Sequence, residues 1–300
     1  MKLRTLIAVV AAAAAALPAT AGAAGTIDGG PVKVTGGYTV MLQATDAKRD
    51  RLTVVVGRGT VANGQDDIVD VERGVRVTVG NGSATIKGSL GTRGKVDLRL
   101  QGGRKDSGRK LPKGCTGTPE ATYTGRLVGL LELRLPNGKR VKIRSMPTSS
   151  QVGGGLIECP DRGDRRKGDG GDGDGGDGKD DEPRLMLSGQ SDGVSFSFQA
   201  TKRTLTLTRS VAAKKERGAT VSVMTSVRAS GSNLLQPSDG GATAGVKSAG
   251  AFTGDGAYRS SVGPGPMTTG SLLGSLRVKL QGAPVISIAG EQAMLLNGDK

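Results

Sequence analysis

Carboxylates are the side chains of this chain best suited to hydrolytic chemistry. The 300-residue sequence contains no histidine, which excludes Ser-His-Asp and Cys-His nucleophile systems and every His-ligated zinc or iron site. Glycoside hydrolysis needs only two carboxylates that flank the scissile bond, and the candidates are Glu120, Glu132 and Glu158. Because Glu132 stands between leucines in an alternating run, we interpret it as a solvent-exposed charge on a strand.

Two motifs match catalytic patterns in their letters but not in their context. Residues 189–193 read Gly-Gln-Ser-Asp-Gly, the G-x-S-x-G pattern, which requires a strand-to-helix turn and a histidine base. We predict instead a hairpin turn between two strands. Residues 107–110 fit S-x-x-K without the K-T-G partner of that enzyme class. The sequence therefore predicts a protein that is not an enzyme and has no cofactor or metal site.

Basic side chains point to binding. Lys and Arg number 42 against 27 Asp and Glu, a formal net charge of +15, and such a surface attracts polyanions. The absence of Trp and an aromatic content of 2% disfavour nucleic acid, because bases stack on aromatic rings. We predict contacts with anionic cell-envelope polymers, with a solvated loop as the simpler interpretation, at the densest basic stretch: Arg99, Arg104, Lys105, Arg109, Lys110 and Lys113.

The N-terminus has the pattern of a secretory signal peptide. Lys2 and Arg4 precede an apolar run over residues 6–17, and the small residues Ala21 and Ala23 suit signal peptidase. The run is shorter than the roughly 20 residues of a membrane-spanning helix. We therefore predict a signal peptide over residues 1–23, cleavage after Ala23 or Ala21, a mature chain without a membrane span, and a secreted or extracytoplasmic protein.

The two cysteines, Cys115 and Cys159, are consistent with export. They are too few for a metal site without histidine, and in an oxidising compartment two cysteines most simply form one disulfide. Closing a loop of about 45 residues stabilises a fold by roughly 4 kcal/mol on the chain-entropy model. Two free thiols are the alternative.

A Gly/Asp-rich segment over residues 160–183 divides the chain. It contains nine acidic and five basic residues, a net charge of −4, and no side chain suited to a core, so we predict a disordered linker. Residues 175–180 match the start of a calcium-binding repeat, but Glu182 stands where that repeat needs an apolar residue. We interpret the aspartates as a solvated spacer, and calcium binding is left open.

Both flanks of the linker show the alternation of β-strands. Leu131 and Leu133 alternate with Glu132 and Arg134, a period of two that buries one face of a strand. Asn-Gly pairs at residues 81–82 and 137–138 are favoured in type I′ hairpin turns. The sequence therefore predicts an all-β fold.

The two flanks also resemble each other. Residues 37–45 match 193–201 in register, and residues 125–135 match 270–280. The general similarity of Gly- and Leu-rich strands is the alternative to duplication. We predict two tandem, duplicated antiparallel β-sandwich or barrel-like modules, residues 24–159 and 184–300, joined by the disordered linker.

The segments around the cysteines and the glycine-spaced strands resemble a known group of proteins. The resemblance lies in Pro112-Lys113-Gly114-Cys115, residues 125–143 and Glu158-Cys159-Pro160, and in the second half in residues 251–258 and 270–290. In these segments the chain resembles secreted all-β proteins of high-GC actinobacteria. The resemblance implies export and a β fold, and it carries no activity.

The predicted function follows from these points. The sequence favours an exported, non-enzymatic protein of the cell envelope or exterior with a structural or binding role. A secreted hydrolase that uses carboxylates only is the alternative, and the oligomeric state is open.

Overall fold

The computed structural model describes residues 25–46, 49–60, 62–108, 121–153, 182–191, 194–238, 241–261, 265–283 and 285–296. Apart from a 3-10 turn at Gly91–Arg93, the regular structure of these residues is β-strand, which confirms the predicted all-β class. None of these residues belongs to a helix long and apolar enough to cross a membrane. Several predictions concern residues outside the described ranges: the signal peptide, residues 160–181 of the linker, Cys115, Cys159, Glu120, Glu158, Arg109, Lys110 and Lys113.

The described residues before the Gly/Asp-rich segment 160–183 form nine antiparallel strands. They pair in the order β4-β3-β2-β1-β9-β8-β7-β6-β5, so that neighbours along the chain are mostly neighbours in the sheet and β9 returns to pair with β1. The strands are β1 Gly25–Val34, β2 Tyr38–Asp46, β3 Arg51–Gly59, β4 Gly64–Arg73, β5 Val75–Gly80, β6 Ser83–Ser89, β7 Gly94–Gly108, β8 Ala121–Arg134 and β9 Arg140–Val152.

The strands after residue 183 repeat this order. They pair as β13-β12-β11-β10-β20-β17-β16-β15-β14, and two short strands are added where β18 pairs with β16 and β19 with β18. The strands are β10 Arg184–Ser191, β11 Val194–Ala200, β12 Thr204–Glu216, β13 Ala219–Ser230, β14 Leu235–Ser238, β15 Gly241–Ala249, β16 Phe252–Ser260, β17 Met267–Gly274, β18 Arg277–Lys279, β19 Val285–Ser287 and β20 Gly290–Leu296.

The two halves are joined edge to edge by strand pairing. β4 pairs antiparallel with β13, from Arg73 opposite Thr220 to Gly64 opposite Arg228, so the described strands form one open, continuous sheet. Ala219 and Val221 of β13 are buried in the hydrophobic core of the first half. The sequence predicts only a connection through residues 160–183, and this direct seam between the halves follows from the strand pairing alone.

Each half encloses its own hydrophobic core. In the first half β5 folds over β1, β2 and β3, and the carboxylates of Asp46 and Asp50 accept hydrogen bonds from the backbone N–H groups of Val79 (3.1 Å) and Val77 (3.0 Å). These bonds satisfy donors that an edge strand otherwise leaves unpaired.

Strand alternation confirms the predicted buried leucines and the exposed Arg134. Leu131 and Leu133 are 0% and 1% exposed, whereas Arg134 between Leu133 and Leu135 is exposed. The prediction that Glu132 is solvent-exposed is wrong, because its side chain, which is paired with Arg140 and Lys95, is only 17% exposed.

Gly189, Gln190 and Ser191 of the G-x-S-x-G motif lie in β10, which pairs antiparallel with β11 up to Ser191 opposite Val194, so the two strands form a hairpin, as predicted.

Candidate functional site

The outward-pointing side chains of strands β5 to β9 form a strongly basic, solvent-exposed surface. Because successive side chains of a strand point to opposite faces, the residues between the buried valines and leucines all lie on the outer side of these strands. We call this surface the basic face. It carries nine basic side chains, Arg76, Lys87, Lys95, Arg99, Arg126, Arg134, Arg140, Lys142 and Arg144, and two acidic ones, Asp97 and Glu132.

The two acids of the basic face each contact basic neighbours. Lys87 Nζ lies 3.7 Å from Asp97. Glu132 accepts a hydrogen bond from Arg140 at 3.1 Å and lies 4.0 Å from Lys95 Nζ. The Lys87–Asp97 pair is exposed on both sides and contributes little to stability. Two acids leave most of the positive charge of nine basic side chains uncompensated.

Like charges stand directly opposite one another at two places on the basic face. Arg76 pairs with Lys87 across β5 and β6, and Arg134 pairs with Arg140 across β8 and β9. Directly opposed like charges destabilise a sheet, and cross-strand pairs are typically worth about 0.2–1 kcal/mol. An anionic ligand would relieve this repulsion, so the arrangement suits binding better than it suits folding.

The predicted polyanion residues fall partly on this surface. Arg99 is exposed near the middle of the basic face, opposite Val128. Arg104 and Lys105 lie further along β7, after an irregularity in its pairing with β8, and pair with Thr124 and Tyr123. Since adjacent strand residues point to opposite faces, Arg104 and Lys105 do not act on the same side of the sheet.

The basic residues of β8 and β9 were not among the predicted site residues. The available signal was the alternation in Arg140-Val141-Lys142-Ile143-Arg144, which places three cations on one side of a strand. That pattern locates the charges on β9 but does not say which strands lie beside it. The pairing of β9 with β8 and of β8 with β7 brings these cations beside Arg99.

A cleft of about 320 Å³ opens at one end of the basic face. It lies between the 3-10 turn, the adjoining ends of β7 to β9, and the tip of the β12–β13 hairpin of the second half. It is lined by Ser89, Gly91, Thr92, Gly94, Lys95, Glu132, Arg140 and Arg217. Three cations and one carboxylate therefore surround this space.

Hydrogen bonds from Thr92 of the 3-10 turn to Glu216 hold the β12–β13 hairpin beside the cleft. One carboxylate oxygen of Glu216 accepts hydrogen bonds from the backbone N–H of Thr92 at 3.0 Å and from the Thr92 hydroxyl at 2.8 Å. These bonds lower the pKa of Glu216 from its usual value, because they favour the charged form. The next residue, Arg217, reaches the cleft from this anchored turn.

Glu132 is the one predicted hydrolytic candidate within the described residues. Its side chain is 17% exposed, and its ion-pair partners are the cations Lys95 and Arg140. No three His, Cys, Asp or Glu side chains cluster as a metal site in the part of the chain that the structure describes. The arrangement can orient Lys95 and Arg140 and can bind anions through them.

Acidic residues gather instead at the seam between the halves. Asp66 of β4 forms a 3.1 Å ion pair with Arg228 of β13, and Asp67 is 5% exposed and accepts a hydrogen bond from Gln65 at 3.3 Å. Burial raises the pKa of both aspartates, because it disfavours the charged carboxylate.

No family model, curated protein or solved structure matches this chain. The function therefore has to be inferred from the geometry and charge of the chain itself.

Proposed function

We propose that the protein is an exported, non-enzymatic component of the cell envelope or exterior whose basic face binds linear anionic polymers. The observation that carries the proposal is the convergence of nine basic and two acidic side chains on one side of five neighbouring strands. Clustered charge of one sign raises the local concentration of oppositely charged ligands and speeds their association.

The spacing of the charges supports an extended ligand. Alternate residues of a strand lie about 6.8 Å apart, and neighbouring strands lie about 4.8 Å apart. Arg140, Lys142 and Arg144 on β9 therefore form a row that a polymer with regularly repeated phosphate or carboxylate groups can follow. Because the side chains are long and exposed, they suit recognition of charge spacing more than recognition of one monomer.

The contacts of Glu132 favour this binding role over a carboxylate-only hydrolase. A general acid or nucleophile of a glycosidase acts together with a second carboxyl group across the scissile bond. Glu132 is paired with Arg140 and Lys95, which suits a residue that positions cations.

We further propose that the two halves arose by duplication into two modules. The shared strand order supports this, as does the burial of residues that the sequence alignment matches. Leu127 and Leu272 are both 0% exposed, and Leu131 and Leu276 are 0% and 1% exposed.

The test is retention of the protein on a polyphosphate resin and on purified cell envelope across a salt series. We expect steep loss of retention as salt rises, because salt screens exposed charge pairs. The triple variant Arg99→Gln, Lys142→Gln, Arg144→Gln should bind about 100-fold more weakly, at roughly 1 kcal/mol for each cation near an anionic surface.

A matched control removes the same charge from the second half. The variant Arg259→Gln, Arg277→Gln, Lys279→Gln changes three exposed cations and should retain binding within about twofold, the scale of screened long-range charge effects. No retention at low salt, or equal losses in the two triple variants, would contradict the proposal.

A further inference from the structure

We infer that the cleft between the 3-10 turn and the β12–β13 hairpin is a separate binding site for one phosphorylated or carboxylated unit, held jointly by the two halves. That this unit comes from an anionic polymer, for example as its end, rests on the proposed function. The site itself is argued from its own residues.

Several side chains that line the cleft can donate hydrogen bonds to a ligand. Arg140 gives one N–H to Glu132 at 3.1 Å, and a guanidinium carries five N–H donors in a fixed fork that matches carboxylate and phosphate oxygens. The Ser89 hydroxyl accepts a hydrogen bond from the backbone N–H of Gly91 at 3.1 Å, so its own proton can be donated to a ligand. Lys95 and Arg217 add two further cations.

Arg217 occupies a backbone conformation that suits other residues better. Its φ is +48°, in the left-handed region, and Gly218 follows at +82°. Tight turns of this kind prefer Asn, Asp or Gly, and residues held in disfavoured conformations concentrate at functional sites. Glu216, anchored on Thr92, fixes the turn so that a cation from the second half borders a cleft otherwise lined by the first.

The size of the cleft sets the size of its ligand. A volume of about 320 Å³ lies at the lower end of the range for small-molecule sites. It fits one glycerol- or sugar-sized unit with its anionic group, whereas a long polymer can extend only along the open basic face. The face and the cleft therefore recognise different parts of an anionic ligand.

The experiment is calorimetric titration of the full chain with glycerol 3-phosphate and with glucuronate, and with uncharged glycerol as the control ligand. We expect one equivalent of each anion to bind and glycerol not to bind. Arg217→Asn should weaken anion binding at least about tenfold, the effect of losing one charge-assisted hydrogen bond. Because asparagine tolerates the left-handed conformation, this variant should melt no lower than wild type.

Two further variants isolate the role of the charge at position 217. Arg217→Lys keeps the cation and should bind the anions within about threefold of wild type, since lysine also binds phosphate as a point charge. Arg277→Asn removes an exposed cation that lies outside both the cleft and the basic face and should leave binding of the single unit unchanged. The cleft assignment is overturned if Arg217→Asn binds as wild type does, or if Arg277→Asn and Arg217→Asn weaken binding equally.

The outcomes separate the two proposals. If the small anions bind with the expected dependence on Arg217 but polyphosphate is not retained, the cleft assignment holds and the polymer proposal fails. If polyphosphate is retained through the basic face but neither small anion binds, the polymer proposal holds and the cleft assignment fails.

Discussion

The two halves share a strand order but present different outer faces. In the first half β5 to β9 carry nine basic side chains on the outer side. In the second half the outer positions of β15, β16 and β17 include a neutral row, Thr243, Ala257 and Leu273, and Leu273 is 53% exposed. The same architecture thus supports a strongly basic surface in one half and, in the other, a surface with a neutral row and fewer cations, among them Arg259, Arg277 and Lys279.

This difference shows that separate residues of the same strands form the hydrophobic core and the outer surface. Leu127 and Leu272 are fully buried, while their neighbours Arg126 and Ser271 lie on the opposite side. Because side chains alternate, outward positions can change without altering the buried ones. The proposed binding role therefore depends on outward residues alone.

The largest effect is expected from the matched buried leucines. Leu127→Ala and Leu272→Ala should each lower the free energy of unfolding by about 2–5 kcal/mol, because each leaves a cavity in a packed core. Since β4 pairs with β13 and Val221 lies in the first core, we expect a single transition in urea denaturation for both variants. The exposed controls Thr85→Ala and Thr253→Ala should change stability by less than about 0.5 kcal/mol. Two separate transitions would show that the halves unfold independently.

A smaller effect should follow from adding charge back to the basic face. Thr85 is exposed on this face and pairs with Arg99. In the weakened triple variant Arg99→Gln, Lys142→Gln, Arg144→Gln, the change Thr85→Lys should restore about fivefold of the polyphosphate affinity, at roughly 1 kcal/mol per cation. The matched change Thr243→Lys in the second half should restore less than about twofold, the scale of screened long-range charge effects, and Thr85→Gln, which adds no charge, should restore nothing. Retention across a salt series measures these differences, and equal gains from Thr85→Lys and Thr243→Lys would show that the position of the charge does not matter.

The acidic linker should weaken binding slightly by masking positive charge. Residues 160–183 have a net charge of −4, so replacing this segment by a Gly/Ser segment of equal length should strengthen polyphosphate retention about two- to fivefold at low salt, with the gain vanishing at high salt. A variant in which only the five basic residues of the segment are neutralised should shift retention the opposite way. Unchanged retention in both variants would leave the segment as a spacer.

The smallest effect concerns pH at the seam. Burial raises the pKa of Asp67, so the folded protein takes up this proton at a higher pH than the unfolded chain does. The stability of wild type relative to Asp67→Asn should therefore increase as the pH falls from 7 through the raised pKa of Asp67 toward about 3.9, the unfolded value. Chemical denaturation across this range measures the difference, with Asp97→Asn as an exposed control. An Asp67→Asn variant with the same pH dependence as wild type would contradict this assignment.

Much of the local structure could be predicted from the sequence. The alternation of Leu131 and Leu133 with charged residues correctly identified both faces of β8, and the Asn-Gly pair at residues 81–82 lies at a hairpin turn where Gly82 has a φ of +75°. The candidate site was found only in part. Arg99 was among the predicted residues, but Arg140 and Lys142 were not, because their proximity to Arg99 depends on two strand pairings.

By itself, the sequence determined the all-β class, the positions that face the cores and the excess of positive charge. These properties follow from local alternation and from composition, since a strand exposes every second residue whatever its neighbours are. Only the tertiary structure decided the seam between β4 and β13, the gathering of cations from β5 to β9, and the placing of Arg217 in the same cleft as Lys95. Those features join residues far apart in the chain, and strand alternation does not encode which strands become neighbours.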